Sequence, residues 1–116
     1  MYNYKTYKEE DVEFVSVASE GEIGNGERIL LEIDGQAIAL FNIAGEFFAI
    51  ADVCSHDDGP VAEGELDAFE IVCPRHGAHF DVRTGKALTL PAVVDIPAYP
   101  VRVEEGEVLI GLPVGG

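Results

Sequence analysis

The chain reads as an all-β protein, with antiparallel strands forming a sandwich or small barrel. Three observations carry this reading. Short runs alternate polar and apolar side chains with a period of two, as half-buried strands do. Turn dipeptides that favour a left-handed backbone fall between these runs. No amphipathic pattern longer than two helical turns occurs in the 116 residues.

In chain order, Val12–Ala18 alternates cleanly and reads as the first strand. Arg28–Ile33 and Gln36–Ile43 flank Asp34-Gly35, a strong signal for a two-residue hairpin because glycine tolerates positive φ. Ala44-Gly45 predicts a second turn, leading into Glu46–Ile50. Glu70–Cys73 and Ala78–Val82 read as shorter strands, the latter followed by a turn at Thr84-Gly85. A closing hairpin is expected from Tyr99–Glu104, a turn at Glu105-Gly106, and Glu107–Gly111. With no repeat, no low-complexity linker and no break in composition, residues 1–116 are expected to form one domain.

Apolar residues make up 47% of the chain, enough for a folded core. Twenty-two acidic against 7 basic residues give a formal net charge of −15. That balance argues against nucleic acid and against an anionic membrane surface, both of which require cationic groups. It suits docking to a basic protein partner, although a merely solvated acidic surface has the same composition. No apolar run approaches the roughly 18 residues of a membrane helix. The first ten residues show neither an apolar export region nor twin arginines, so a cytoplasmic address is expected.

Two segments carry chemistry. One is Cys54-Ser-His56 and the other is Cys73-Pro-Arg-His76, with 16 residues between His56 and Cys73. Together they use both cysteines and two of the three histidines. Each pair falls where a strand gives way to a loop. Three readings compete. Tetrahedral zinc accepts two Cys and two His, but zinc modules usually group Cys with Cys and His with His. A [2Fe–2S] cluster in which two histidines replace cysteines on one iron takes one Cys–His pair from each loop, which the alternating order suits better. The third reading is a buried cysteine pair with incidental histidines, which two matched pairs disfavour.

With these residues in view, the chain resembles the Rieske ferredoxins, and among them the small ferredoxin components of bacterial aromatic-ring dioxygenase systems. The resemblance rests on Cys54-Ser-His56 and on Cys73-Pro-Arg-His76-Gly77-Ala-His-Phe80-Asp81 with Thr84-Gly85. Ala39–Ile50 and Pro100–Glu104 are also similar to the family, and the likeness runs from about Val12 to Leu112. It implies a Rieske fold, a base of antiparallel sheets carrying a cluster-binding subdomain over about residues 52–91. It implies one Rieske-type [2Fe–2S] cluster held by Cys54, His56, Cys73 and His76. It further implies a low-potential electron carrier rather than an enzyme, passing single electrons from a flavin-dependent reductase to a terminal oxygenase. A Rieske-like subunit of another redox system, such as a nitrite-reductase small subunit or an iron–sulfur assembly protein, is the rival. A zinc-stabilised interaction module is the more distant one.

Several neighbours gain expected roles from this likeness. Leu90-Pro91-Ala92 is the expected cluster-covering loop, and Arg75 is expected near the cluster surface. Gly59 and Gly77 are expected to let peptide N–H groups approach the sulfurs. His79 belongs to neither pair and is expected not to ligate. Asp81, Arg83 and Lys86 are expected to form local ion pairs. Asp52, Asp57, Asp58, Glu63, Glu65, Asp67 and Glu70 are expected to form an acidic docking face. High-potential Rieske proteins have a disulfide between the ligand loops, for which this chain has no cysteines to spare. They also have Ser and Tyr donors where Ala78 and Phe80 are expected here. A potential of roughly −150 mV rather than +300 mV follows.

Overall fold

The computed structural model describes residues 12–33, 35–53, 60–74, 77–90 and 95–113. Their strands are β1 (Val12–Ser19), β2 (Arg28–Ile33), β3 (Gln36–Ile43), β4 (Glu46–Ala51), β5 (Leu66–Asp67), β6 (Glu70–Val72), β7 (His79–Asp81), β8 (Ala98–Tyr99), β9 (Val101–Glu104) and β10 (Glu107–Pro113). The only helical element among the described residues is a single 3-10 turn, Glu20–Glu22. The all-β, antiparallel expectation therefore holds.

The strands form three sheets: β1-β10-β9, β2-β3-β4-β8 and β5-β6-β7. Local turn chemistry sets much of the order. Ala44 and Gly45 both adopt positive φ, 55° and 88°, as do Glu105 and Gly106, 51° and 82°. Two consecutive left-handed residues match the right-handed twist of the strands that they join. Ile43 accordingly pairs with Glu46, and Glu104 with Glu107. Gly35 has φ 79°, and Ile33 pairs with Gln36 across the expected hairpin. Asp34 lies outside the described residues.

The four-stranded sheet is the middle layer. In β3, Ile38, Ala39, Leu40 and Phe41 are all 0% exposed, although their side chains point alternately to opposite faces. Ile38 and Leu40 pack with Val108 and Ile110 of the β1-β10-β9 sheet. Ala39 and Phe41 pack with Ile71 and Phe80 of the β5-β6-β7 sheet. A strand buried on both faces reads as a continuous apolar run, and that is why Ile38–Phe41 does not alternate with polar residues.

Two differences from the expected strands go beyond a residue or two at an end. The run Tyr99–Glu104 is two strands, because Pro100 has no N–H to give a ladder. Before it, Ala98 and Tyr99 pair with β4; after it, Val101–Glu104 pairs with β10. The chain thus changes sheets at Pro100. The strand β5 was not expected: two residues of a turn-rich stretch give no periodicity to detect.

The middle sheet also frames the segment of interest. The chain leaves it at Ala51 and rejoins it at Ala98. These ends are adjacent, with Ala51 N donating to Pro97 O at 2.9 Å and Ile50 paired to Ala98. Everything between them, including β5–β7 and both Cys–His segments, leaves and returns through one edge of the fold.

Candidate metal centre

The first Cys–His segment follows β4. Asp52 N continues the ladder by donating to Ala37 O at 2.9 Å. The Asp52 side chain then turns to the far end of the loop. Its Oδ1 accepts from Val61 N and from Ala62 N, both at 2.8 Å. One carboxylate oxygen therefore closes the chain from 52 to 61, and Cys54 and His56 sit within that span. Both residues, with Asp57, Asp58 and Gly59, lie outside the described residues.

The second segment joins β6 to β7. The pairs Val72↔His79 and Ile71↔Phe80 fix the register of this hairpin. Cys73 N donates to Ala78 O at 2.8 Å, and Gly77 N donates to Cys73 O at 2.9 Å. Gly77 has φ 73°, so a positive-φ residue closes the turn, as glycine readily does. Its own N–H is spent inside the turn on Cys73 O. Cys73 is 1% exposed and faces the same core as Ile71, Ala78 and Phe80. It has no disulfide partner among the described residues. Arg75 and His76 lie outside the described residues.

Gly64, in the chain that follows the first segment, packs against the residues that flank Cys73. A Cβ built there would fall 1.6 Å from Val72 O and 3.3 Å from Pro74 Cδ. The chain leaving the first loop thus lies directly against the residues on either side of Cys73. Gly64 N also donates to Val61 O at 3.1 Å, and Val72 N donates to Glu65 O at 2.9 Å. Only a residue without a side chain permits this approach. Nothing in the local sequence marks the part of Gly64 in this approach.

The third histidine has a different employment. His79 Nδ1 and Glu70 Oε1 share a hydrogen bond of 2.8 Å. The two side chains are diagonal neighbours on the face of the hairpin opposite Cys73. His79 therefore points away from the buried thiol. Of the expected acidic face, Asp52 is an internal staple and Glu70 is paired, while Glu63, Glu65 and Asp67 are exposed.

Asp81 and Arg83 form the expected local ion pair. Arg83 Nη2 reaches Asp81 Oδ2 at 3.0 Å, and Arg83 N donates to Asp81 Oδ1 at 2.8 Å. Partial burial works to raise the Asp81 carboxyl, but the Arg83 hydrogen bonds and charge, helped by Lys86, outweigh it and hold it below its ordinary value of 3.8. The Arg83 guanidinium also stacks over the Phe69 ring, 4.3 Å from its centroid. Leu88 and Leu90, leading to the expected covering loop, are 41% and 76% exposed. Pro91 and Ala92 lie outside the described residues.

This donor set fits a [2Fe–2S] group. Cys73, buried and with no disulfide partner among the described residues, sits at the base of one loop, the chain that follows the other Cys–His segment is stapled and packs against it, and the two segments together offer two cysteines and two histidines in sequence.

The sequence family agrees with this chemistry. The model of the Rieske [2Fe-2S] domain matches residues 13–100, and the chain belongs to that family. It holds one Rieske-type cluster and acts as an electron carrier, not a catalyst. Family membership thereby decides the cluster against zinc. The chain is 45% identical over 93 residues to the 3-phenylpropionate/cinnamic acid dioxygenase ferredoxin subunit of Escherichia coli (strain K12), covering 79% of this chain and 87% of that one. In structure it is similar to the ferredoxin of carbazole 1,9a-dioxygenase from Nocardioides aromaticivorans IC177, with a TM-score of 0.80, 33% identity, and 84% and 95% of the two chains covered. The Sphingomonas yanoikuyae B1 ferredoxin matches with a TM-score of 0.80 and 31% identity, covering 87% of this chain and 100% of that one.

Proposed function

We propose that this protein is the ferredoxin of a bacterial aromatic-ring dioxygenase system, taking single electrons from a flavin-dependent reductase and delivering them to a terminal oxygenase. The observation that carries this reading is the likeness to dioxygenase ferredoxin subunits over most of their length, 87% for the Escherichia coli protein. A similar ferredoxin, with a TM-score of 0.80 and 30% identity, has been solved in complex with its carbazole 1,9a-dioxygenase oxygenase. The acidic surface suits a basic docking patch on such partners.

Cys54, His56, Cys73 and His76 are the proposed ligands, and they match the family's C-x-H and C-x-x-H motifs residue by residue. The bound cluster supplies one-electron chemistry. This chain's residues supply the rest: Cys73 approaches from a dry core, Asp52 closes the first loop, and the Cys73–Ala78 and Gly77–Cys73 hydrogen bonds fix the second. Residues 1–116 are read as one domain, with 52–91 as the cluster-binding subdomain. A reducing, cytoplasmic setting fits a buried free Cys73 and a chain with only two cysteines.

Spectroscopy on freshly purified protein tests the reading. The expected sample is red-brown, and on reduction gives an electron-spin signal with an average g below that of all-cysteine clusters. His56→Ala and His76→Ala should each abolish that signal, whereas His79→Ala should keep it. Loss of the signal in His79→Ala with retention in His56→Ala would refute the ligand set. Reduced protein should be reoxidised by an aromatic-ring terminal oxygenase with dioxygen and substrate present. Failure there, with the cluster intact, would favour a different redox system.

A further inference from the structure

We propose that Asp52 and Arg28 act together as positioning residues for the cluster, gripping opposite sides of the peptide that leaves the first ligand loop. The inference rests on the reading of Cys54 and His56 as ligands. It assigns a role to two charged side chains that lie outside both Cys–His segments.

The geometry is specific. Asp52 Oδ1 accepts from Val61 N and Ala62 N at 2.8 Å each. Arg28 Nη1 donates to Ala62 O at 2.7 Å and to Gly64 O at 2.5 Å. The residue Ala62 is thus held at its N–H by a carboxylate and at its carbonyl by a guanidinium. The carboxylate extends from the end of β4, and the guanidinium from the start of β2. Two residues beyond Ala62, Gly64 is pressed against Val72 O, next to Cys73. The pair therefore fixes where the first loop ends relative to the second.

The arginine is itself held in place. Arg28 pairs with Phe41 across β2 and β3, and its guanidinium lies 5.6 Å from the Phe41 ring centroid. Phe41 is fully buried in the core that contains Cys73. Hydrogen bonds to charged groups are about twice as strong as neutral ones, and here four of them meet on one short segment. A chain of net charge −15 with only 7 basic residues commits one of those cations to backbone carbonyls at this point. Val61 and Ala62, both 0% exposed, complete the segment by packing into the same core.

Three variants of the cluster-loaded protein test the proposal: Asp52→Ala, Asp52→Asn and Arg28→Met. The readouts are the rate of iron loss to a chelator, the g values and linewidth of the reduced electron-spin signal, and the thermal midpoint. Partners that orient metal ligands typically matter by about 10–100-fold in metal retention, so Asp52→Ala and Arg28→Met should lose iron faster by that order. Both should broaden the reduced signal. Asp52→Asn keeps a carbonyl oxygen at Oδ1, and so should retain iron within about threefold of the parent. The double variant Asp52→Ala/Arg28→Met should lose iron less than the product of the single effects, because both grip Ala62.

Unchanged iron loss and linewidth in Asp52→Ala and Arg28→Met would overturn the proposal. So would an Asp52→Asn protein as leaky as Asp52→Ala, or effects of the two sites that multiply independently. A lower thermal midpoint with an unchanged spin signal and iron-loss rate would mark a purely structural role and likewise overturn it. If Asp52→Ala or Arg28→Met fails to accumulate, Asp52→Asn and Arg28→Lys decide: parent-like linewidth in the first with broadening in the second supports the grip, and the reverse overturns it. The ligand reading fails separately, by absence of the Rieske signal in the parent protein.

Discussion

Gly64→Ala is the sharpest single perturbation of this fold. A methyl group there would lie 1.6 Å from Val72 O and 2.8 Å from its carbonyl carbon. Carbon and carbonyl oxygen sit comfortably no closer than about 3.3 Å, so the exit of the first ligand loop and the end of β6 must part by about 1.7 Å. Both sides of the contact are backbone, and no side chain is available to swing away. Overpacking of this kind costs about 1–3 kcal/mol. Parting the segments also strains the Val72 N to Glu65 O hydrogen bond, worth about 1 kcal/mol more. We expect a loss of roughly 2–4 kcal/mol, which for a chain of this length lowers the thermal midpoint by about 10 °C. The assay is thermal unfolding followed by circular dichroism, with the visible absorption of the cluster recorded in parallel. Gly21→Ala is the control: its Cβ meets nothing within 4 Å, and its effect should stay within about 0.5 kcal/mol. A Gly64→Ala protein melting within about 2 °C of the parent, with unchanged absorption, would refute the close approach of the two loops.

Three further outcomes are expected. Asn42 is 7% exposed, its Nδ2 donates to Ile23 O at 2.7 Å, and its Oδ1 accepts from Gly45 N at 2.9 Å; Asn42→Ala should cost about 1–3 kcal/mol in urea unfolding. The Asp81 carboxyl is held below 3.8, so its ion pair contributes stability that is full above that pH and is lost as pH falls through the lowered value. Asp81→Asn should therefore flatten the urea midpoint below about pH 4, and an unchanged acid limb would refute the pairing. The reduction potential, measured by spectroelectrochemical titration, should lie near −150 mV, flat around neutral pH and falling in alkaline solution as the imidazoles of the proposed ligands lose protons. A value near +300 mV would show that Ala78 and Phe80 do not mark a donor-poor site.

Much of this architecture was legible in the sequence where the determinants are local. The hairpins at Gly35, Ala44-Gly45 and Glu105-Gly106 follow from residues that tolerate or favour left-handed backbone, and each is found where expected. Ile38–Phe41 was readable as a strand but not as the centre of three layers, because burial on both faces depends on sheets far away in sequence. The sheet change at Pro100 was hidden by a strand-like run on either side of it. At the site, the Cys–His motifs that supply the proposed ligands stand out in the sequence, since both cysteines and two of the three histidines fall in them. Their supports did not. Asp52 looked like one more surface acid, and Arg28 reaches carbonyls 34 and 36 residues away. Contacts of that span leave no pattern in a single chain.

The neighbouring ends at Ala51 and Ala98 have a consequence for modularity. Because Ala51 N bonds Pro97 O, the ends of the intervening segment are held together, and a change in its length alters the loop-closure cost only slowly, by about 0.6 kcal/mol per doubling. Such a junction tolerates exchange, and an equivalent segment from another ferredoxin should splice in at these two positions without disturbing β1–β4 and β8–β10. Plain excision is another matter. It would strip the cover from Ala39, Phe41, Ile50 and Ala98, all buried against that segment, and leave an apolar sheet face bare to solvent. The segment is thus a replaceable cassette and, at the same time, the lid on its host's core.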